Sequence, residues 1–311
     1  MHPANAIDIH RTSKLDRAGA RHLQRRQRAG ELHRVRHGVY VDRSGWESLD
    51  PVARHLVRMR AAAPLLWPGA AWALESAAAV LGVPRIDPWP ERVHAVVPGL
   101  PQDLHRAGLT LHARDAGHAG PGSPTTPTFH GIAFTDLPQT VVELARRGSL
   151  CAAVVMIDHA LRNGVAREHL EQIAAGVGPW GSVRLERAFE IGDPLHESVG
   201  ESYFAARAAE LACPDMEPQH VFVAADGTPD RVDFWLPREG IVIEFDGRQK
   251  YQDPEMLAGR SGAEALWIEK QREDRIRTRP EVNQFVRVVW AHLVAPERLR
   301  AHLREHRVPC R

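Results

Sequence analysis

The sequence is poor in cysteine, with Cys151, Cys213 and Cys310 the three in 311 residues. An odd count without a Cys-x-x-Cys spacing argues against a disulfide framework and a cysteine-ligated zinc site, and fits a reducing compartment such as the cytoplasm. Long apolar runs are also lacking. The best candidate, Ala61 to Leu81, is interrupted by Pro64, Pro68, Gly69 and Glu75. It falls short of the roughly 20 clean residues that a membrane span needs, so no membrane partner is expected. The opening Met-His-Pro-Ala-Asn has no basic-then-apolar layout, and secretion is not expected. Net charge is only +1, so binding to a polyanion must rest on local charge. Repeats and low-complexity tracts are absent.

What is present is an ordinary globular composition, 43% hydrophobic and 25% charged, which can bury a core without staples. Single domains mostly run to about 100–200 residues, so 311 residues predict two or three units. The chain reads as multidomain α/β, with a head at 1–50, an α/β middle domain at 51–181 and a C-terminal domain at 182–311. The Gly- and Pro-containing stretch 176–181 marks the second boundary, and Gly117 to Pro127 reads as a surface loop. In the middle domain, helices are expected near 51–63, 70–81, 138–147, 150–162 and 166–175, with strands at 93–97, 109–112 and 132–134. No catalytic constellation stands out there: Glu75 beside Ser76 lacks a nearby histidine in sequence, and Asp158 and His159 diverge on a helix.

The head concentrates charge. Residues 11–38 carry Arg11, Lys14, Arg17, Arg21, Arg25, Arg26, Arg28, Arg34 and Arg36 against Asp16 and Glu31. A helix over Ala18 to Ala29, stopped by Gly30, precedes a ribbon that turns at Gly38, which is the shape of a winged helix-turn-helix. Arg21, Arg25 and Arg28 would form a guanidinium stripe facing a DNA groove. Arg34 and Arg36 on the ribbon would hold adjacent phosphates. A solvated basic helix end is the alternative.

The C-terminal domain reads as α, β, β, β, α, β, α around a small mixed sheet. Arg231 to Leu236 and Ile241 to Asp246 form an expected antiparallel hairpin across the loop Pro237-Arg-Glu-Gly240. If Leu236 faces Ile241, Asp233 lies opposite Glu244, with Cβ atoms about 4.5–5.5 Å apart. Alternation then puts Asp246 on their face, with Val232, Phe234, Ile243 and Phe245 on the other. Three carboxylates on one face need neutralising, and a hard divalent cation, Mg²⁺ or Mn²⁺, does this while keeping waters that can attack a phosphodiester. Lys250 is placed to stabilise the developing phosphorane charge. A solvated face paired with Arg231, Arg248 and Lys250 remains the alternative.

Beyond these patterns, Glu197-Ser-Val-Gly-Glu201, Arg207, Arg231-Val-Asp-Phe, Ile243-Glu-Phe-Asp-Gly-Arg-Gln-Lys-Tyr251, Trp267-Ile-Glu-Lys-Gln-Arg-Glu-Asp-Arg275 and Arg287-Val-Val-Trp290 stand in order over about a hundred residues. Together they resemble the endonuclease-like domains related to very-short-patch repair enzymes. The resemblance implies the restriction-endonuclease fold, PD-(D/E)xK, with Asp233 and Glu244 as metal-binding acids and Glu201 as the preceding helical acid. The sequence departs from the common Glu-x-Lys pattern by placing Asp246 where lysine is expected. On the charged helix, Lys270, Arg272, Arg275 and Arg277 are expected phosphate contacts, or else members of a solvated helix with pairs such as Lys270–Asp274.

In the head, Gly30-Glu-Leu-His-Arg-Val-Arg-His-Gly-Val-Tyr40 resembles the wing of AbiEi-type abortive-infection antitoxins. Ala73 to Pro84 and Leu137 to Ala145 resemble their second domain. Two expectations follow. One is a Mg²⁺-dependent DNA endonuclease; the other is an antitoxin-like transcriptional regulator with a toxin partner, in which the nuclease-derived domain binds or assembles.

Overall fold

The computed structural model describes residues 3–106, 108–114, 127–224, 226–247 and 262–311. The chain divides into two compact units, Met1–Arg147 with Val165–Ser182, and Gly148–Gly164 with Val183–Arg311. It is mixed α/β throughout, with one antiparallel and two mixed sheets.

The first unit begins with β1 (His10–Arg11), α1 (Arg17–Arg28), β2 (Leu32–Arg36) and β3 (Val39–Asp42). Asp16 caps α1 by accepting the Gly19 N–H at 2.8 Å, which satisfies one of the four orphan donors of the first turn. Gly30, at φ +82°, turns the chain out of the helix. Leu23, Leu32 and Tyr40 form a small apolar cluster that fastens α1 to the ribbon, and β3 sits between β1 and β2.

Next come α2 (Arg43–Glu47) and α3 (Pro51–Ala62), the latter started by Asp50 accepting from Ala53 N–H, with Pro51 in the first helical turn. A six-stranded sheet follows, built from β4 (Ala71–Trp72), β5 (Val93–Pro98), β6 (Leu104–Arg106), β7 (Leu109–Arg114), β8 (Thr128–Phe129) and β9 (Ile132–Phe134). Its order is β6-β7-β5-β4-β9-β8, with α4 (Leu74–Leu81) and α5 (Leu137–Ala145) alongside in the chain. Most of the expected loop 117–127 lies outside the described residues. The sequence reading separates residues 1–50 from the middle domain, but one apolar cluster runs across that point. It joins Val41, Trp46 and Leu49 to Leu56, Met59, Val93 and Leu111.

Helix α6 (Leu150–Arg162) belongs to the second unit, where it packs on α9 below, whereas the sequence reading assigns it to the middle domain. Residues Cys151 to Asp158 are all buried, so no polar stripe in its sequence reveals which neighbour it faces. The chain returns to the first unit through α7 (Arg167–Gly176), then enters the second with α8 (Ser182–Ile191) and α9 (Val199–Glu210).

The second unit centres on β10 (Glu217–Val223), β11 (Pro229–Leu236), β12 (Ile241–Asp246) and β13 (Gln284–Val289), hydrogen-bonded in that order. The pairs β10–β11 and β11–β12 are antiparallel. β13 runs parallel to β12, as the intervening helix α10 (Gly262–Arg277) permits. Helices α11 (Trp290–Leu293) and α12 (Pro296–Glu305) close the unit. One sheet face packs on α9: the Phe234 ring lies 5.0 Å from Phe204, and Gly200 abuts the Phe245 ring so closely that a Cβ there would meet it at 1.9 Å. The other face packs on α10, where Ile276 joins Val232, Trp235, Val242 and Phe285. Among the described residues, no helix is long and apolar enough to cross a membrane.

Candidate functional site

The hairpin register is the expected one. Leu236 pairs with Ile241, Trp235 with Val242 and Phe234 with Ile243. Beyond these pairs the carboxylate of Asp233 crosses between the strands: its Oδ2 accepts the N–H of Phe245 at 2.8 Å. Asp233 is thus held against the strand that carries Glu244. The expected alternation fails at one residue. Val232 and Trp235 are three positions apart yet share the α10-side cluster, so the strand shifts its phase between them. On β10, Gln219 lies between the pairs Pro218↔Phe234 and His220↔Val232 with φ +51°, an irregularity opposite Asp233. Phe234 and Phe245 face α9 as expected; Val232 does not.

Glu201 is buried in the first turn of α9 and its carboxylate is densely bonded. Oε1 accepts from Ser198 Oγ at 2.6 Å, while Oε2 accepts from Glu197 N–H at 2.9 Å and Gln219 Nε2 at 2.8 Å. Ser198 Oγ in turn accepts the Glu201 N–H at 3.1 Å, so Ser198 caps α9 while Glu201 reaches back one residue further, to the Glu197 N–H. Its link to Gln219 ties the helical acid to the strand position opposite Asp233, so Glu201 positions the neighbouring strand. Ser198 and Gln219 escape the sequence reading. The Ser-x-x-Glu spacing could have revealed the cap; nothing local could have revealed Gln219.

Glu244 is 7% exposed. Burial pushes its carboxyl above the ordinary carboxylate value, against the opposing pull of Arg272. Arg272 NH2 donates to Glu244 Oε1 at 2.6 Å and to Glu269 Oε1 at 2.7 Å, and NH1 donates to the Arg231 carbonyl at 2.6 Å. Burial draws the Arg272 guanidinium down, but these two carboxylates carry it well above its ordinary value, so it stays charged. Arg272, expected either at phosphate or in a paired solvated helix, is here the counter-charge of the buried acid. Arg231 pairs with Glu197, at 2.8 Å.

Arg275, also an expected phosphate contact, is likewise held by a carboxylate. It binds the fully buried Asp230 at 2.6 Å, with Arg279 at 3.5 Å from the same carboxylate. Lys270 is exposed, as a phosphate contact requires. Lys250 lies outside the described residues. Asp246 ends β12 half-buried. Among the described residues no group of three or more His, Cys, Asp or Glu side chains is placed to hold a metal, so Asp233, Glu244 and Asp246 do not form a three-carboxylate cage. Hard oxygen donors on neighbouring strand positions, Asp233 and Glu244, match the one or two carboxylates that Mg²⁺ usually takes. A cation there would compete with Arg272 for Glu244.

On the head, Arg21, Arg25 and Arg28 are exposed along α1, and Arg34 is exposed on β2. Arg26 turns to the ribbon and pairs with Glu31 at 2.8 Å and Asp42 at 3.2 Å. Arg36 departs from its expected role. It is partly buried, its NH1 reaching the Ala61 carbonyl at 3.4 Å beside Arg11, whose guanidinium binds Ala61 and Arg60 carbonyls. Burial, then the neighbouring Arg11 charge, lower its pKa. Both cations cap the C-terminal end of α3, where unpaired carbonyls attract them.

The middle segment does hold a serine–histidine contact that sequence proximity hides. Ser76 Oγ lies 3.1 Å from His55 Nε2, whose Nδ1 is 3.1 Å from the Pro90 carbonyl, and it accepts the His94 N–H at 2.8 Å. A carbonyl only accepts, so Nδ1 bears the proton and Ser76 donates to Nε2. Ser76 and His55 are completely buried, and burial drops His55 to about 4. No substrate reaches this dyad, which instead braces α3, α4 and β5.

No known family model matches the chain, and no curated protein matches it.

Proposed function

We propose that the C-terminal unit is a metal-dependent phosphodiester hydrolase of restriction-endonuclease-like fold, and that the N-terminal head is a winged-helix element that brings it to DNA. The observation that carries this reading is the reach of Asp233 to Phe245 N–H, which fixes one acid against the strand bearing the other, Glu244. Glu201, bonded through Gln219 to the facing strand position, supports it from behind. Asp233 and Glu244 would hold Mg²⁺ or Mn²⁺. When bound, such an ion supplies an activated water and neutralises developing phosphorane charge. The exposed Arg21, Arg25, Arg28 and Arg34, with Lys270 on α10, would position the phosphate backbone.

A second reading is favoured by the Arg272 clamp on Glu244 and by Asp246 at the usual lysine position. In it the protein is an antitoxin-like regulator that binds DNA, pairs with a toxin and does not cut. Incubation of supercoiled plasmid with purified protein and Mg²⁺ or Mn²⁺ distinguishes them. Nicking by wild type, lost in Asp233→Asn and Glu244→Gln, is the expected outcome. Equal nicking in all three rejects the assignment; tight, sequence-specific binding without nicking selects the second reading.

A further inference from the structure

The second unit holds a cavity of about 510 Å³ beside α8 and α9, within the size range of small-molecule sites. Neither Asp233 nor Glu244 lines it, so it is distinct from the acidic centre. Part of its wall is apolar, formed by Ala205, Ala208, Ala209, Met216 and Phe234; the rest is polar, and one histidine, His196, is on the lining.

His196 is 4% exposed and is held from behind. Its Nδ1 lies 2.7 Å from Oδ2 of Asp158, which is completely buried and whose Oδ1 accepts the Asp193 N–H at 2.8 Å. A carboxylate accepts, so Nδ1 carries the proton, and in the neutral ring the lone pair sits on Nε2. Arg162 donates to the His196 carbonyl and fixes the backbone there. Nε2 has no hydrogen-bond partner among the described residues, yet it is not sealed in the interior, because the ring faces the cavity. A buried polar atom of fixed tautomer, aimed into a cavity, is an acceptor awaiting a donor.

The charge around it selects the donor. Arg187 on the lining is bound to Glu190 at 2.7 Å and the two cancel. Asp193 and Asp215 then leave the lining with two further carboxylates and no further cation, so the cavity favours positive charge. We propose that this cavity binds a primary organic amine, its ammonium donating to His196 Nε2 and its apolar body lying against the alanine face of α9 and Phe234.

Titration of the full chain, ¹⁵N-labelled at histidine, with benzylamine tests this, with benzoate and benzyl alcohol as controls. The expected result is a saturable shift of the His196 Nε2 resonance with benzylamine and none with benzoate. His196→Gln should weaken benzylamine binding at least tenfold. Because a variant at the dyad can lose its fold, Ala209→Met serves as the second variant. Ala209 is only half-buried and lines the cavity, so a longer side chain there takes up cavity space while the Asp158–His196 pair itself is left intact in sequence. It should abolish the shift while leaving the melting temperature unchanged. A His196 response to benzoate with none to benzylamine overturns the amine assignment. Absence of a saturable shift with any of the three, or a benzylamine shift that survives Ala209→Met, overturns the site.

Discussion

Arg272→Met is the most informative single change in the second unit, because it keeps an unbranched apolar stem and removes the charge that faces Glu244. Breaking a buried pair by deleting one partner costs about 3–5 kcal/mol when the remaining charge is stranded. Arg272 is 22% exposed at its side chain and Glu244 10%, and Glu244 can escape its stranding by taking up a proton. A loss of about 2–4 kcal/mol near neutral pH is therefore expected. At roughly 4 °C per kcal/mol for a unit of this size, that is a fall in melting temperature of ~8–16 °C.

The pH dependence carries the sharper test. Glu244 has a folded-state pKa raised above its ordinary 4.5, so its contribution to stability is fully present below 4.5 and is lost as pH rises through the raised value. Arg272 is the main influence holding that value down, and its removal raises it further. The stability gap between wild type and Arg272→Met should thus be small below pH 4.5, where the carboxyl is protonated in both. It should widen as pH rises, then level off once Glu244 ionises in both proteins. Adding Glu244→Gln to Arg272→Met should recover much of the loss, since the amide leaves no buried charge. Melting curves across that range provide the assay. A gap independent of pH, or a double variant no better than Arg272→Met, refutes the idea that Glu244 is the group Arg272 serves.

Four further outcomes are expected. Replacing Arg21, Arg25 and Arg28 together by Ala should flatten the slope of log binding constant against log salt for duplex DNA by up to about 2.7, given about 0.9 per phosphate contact. Arg36→Ala should leave that slope alone and instead lower the melting temperature, because Arg36 binds the end of α3. Gly200→Ala should destabilise the second unit by ~3 kcal/mol or more, since its Cβ would overlap the Phe245 ring, and Phe245→Leu should recover part of this. Burial pushes the Cys151 and Cys213 thiols up to about 12, so iodoacetamide at pH 8 should leave both unmodified in native protein and label them in denaturant, as read by mass spectrometry.

What was legible in the sequence was what local chemistry dictates. A four-residue loop with Pro237 and Gly240 between two β-rich runs set the register of β11 and β12, and Gly30 and Gly38 marked the end of the first helix and the turn of the ribbon. Capping and turn residues act within a few positions, so they can be read along the chain. The partners of charged groups cannot. Arg272 meets Glu244 from 28 residues away, Arg275 meets Asp230 from 45, and Arg36 meets the Ala61 carbonyl from 25. All three arginines were expected at phosphates because a sequence shows a positive charge but not the buried acid or helix end that claims it. Val232 was misplaced for a related reason: strict alternation assumes an unbroken pleat, and the irregularity at Gln219 lies on another strand.

The same point bears on whether the acidic centre cuts or only binds. A carboxylate at 7% exposure must be neutralised, by a proton, a cation or a guanidinium. Arg272 already neutralises Glu244, so a divalent ion gains the site only if its bonds to Asp233 and Glu244 exceed what Arg272 loses from Glu244 and Glu269. DNA shifts this balance, because a phosphate offers Arg272 an alternative anion while adding ligand oxygens for the ion. Metal and nucleic acid should then bind with positive coupling, each raising the affinity of the other by the same factor. In the hydrolase reading, Mn²⁺ affinity measured with an uncleavable duplex should exceed that of the free protein, and Arg272→Met should bind Mn²⁺ more tightly without DNA. If Arg272→Met leaves Mn²⁺ affinity unchanged, the ion does not use Glu244, and Arg272 is a permanent structural partner of that acid.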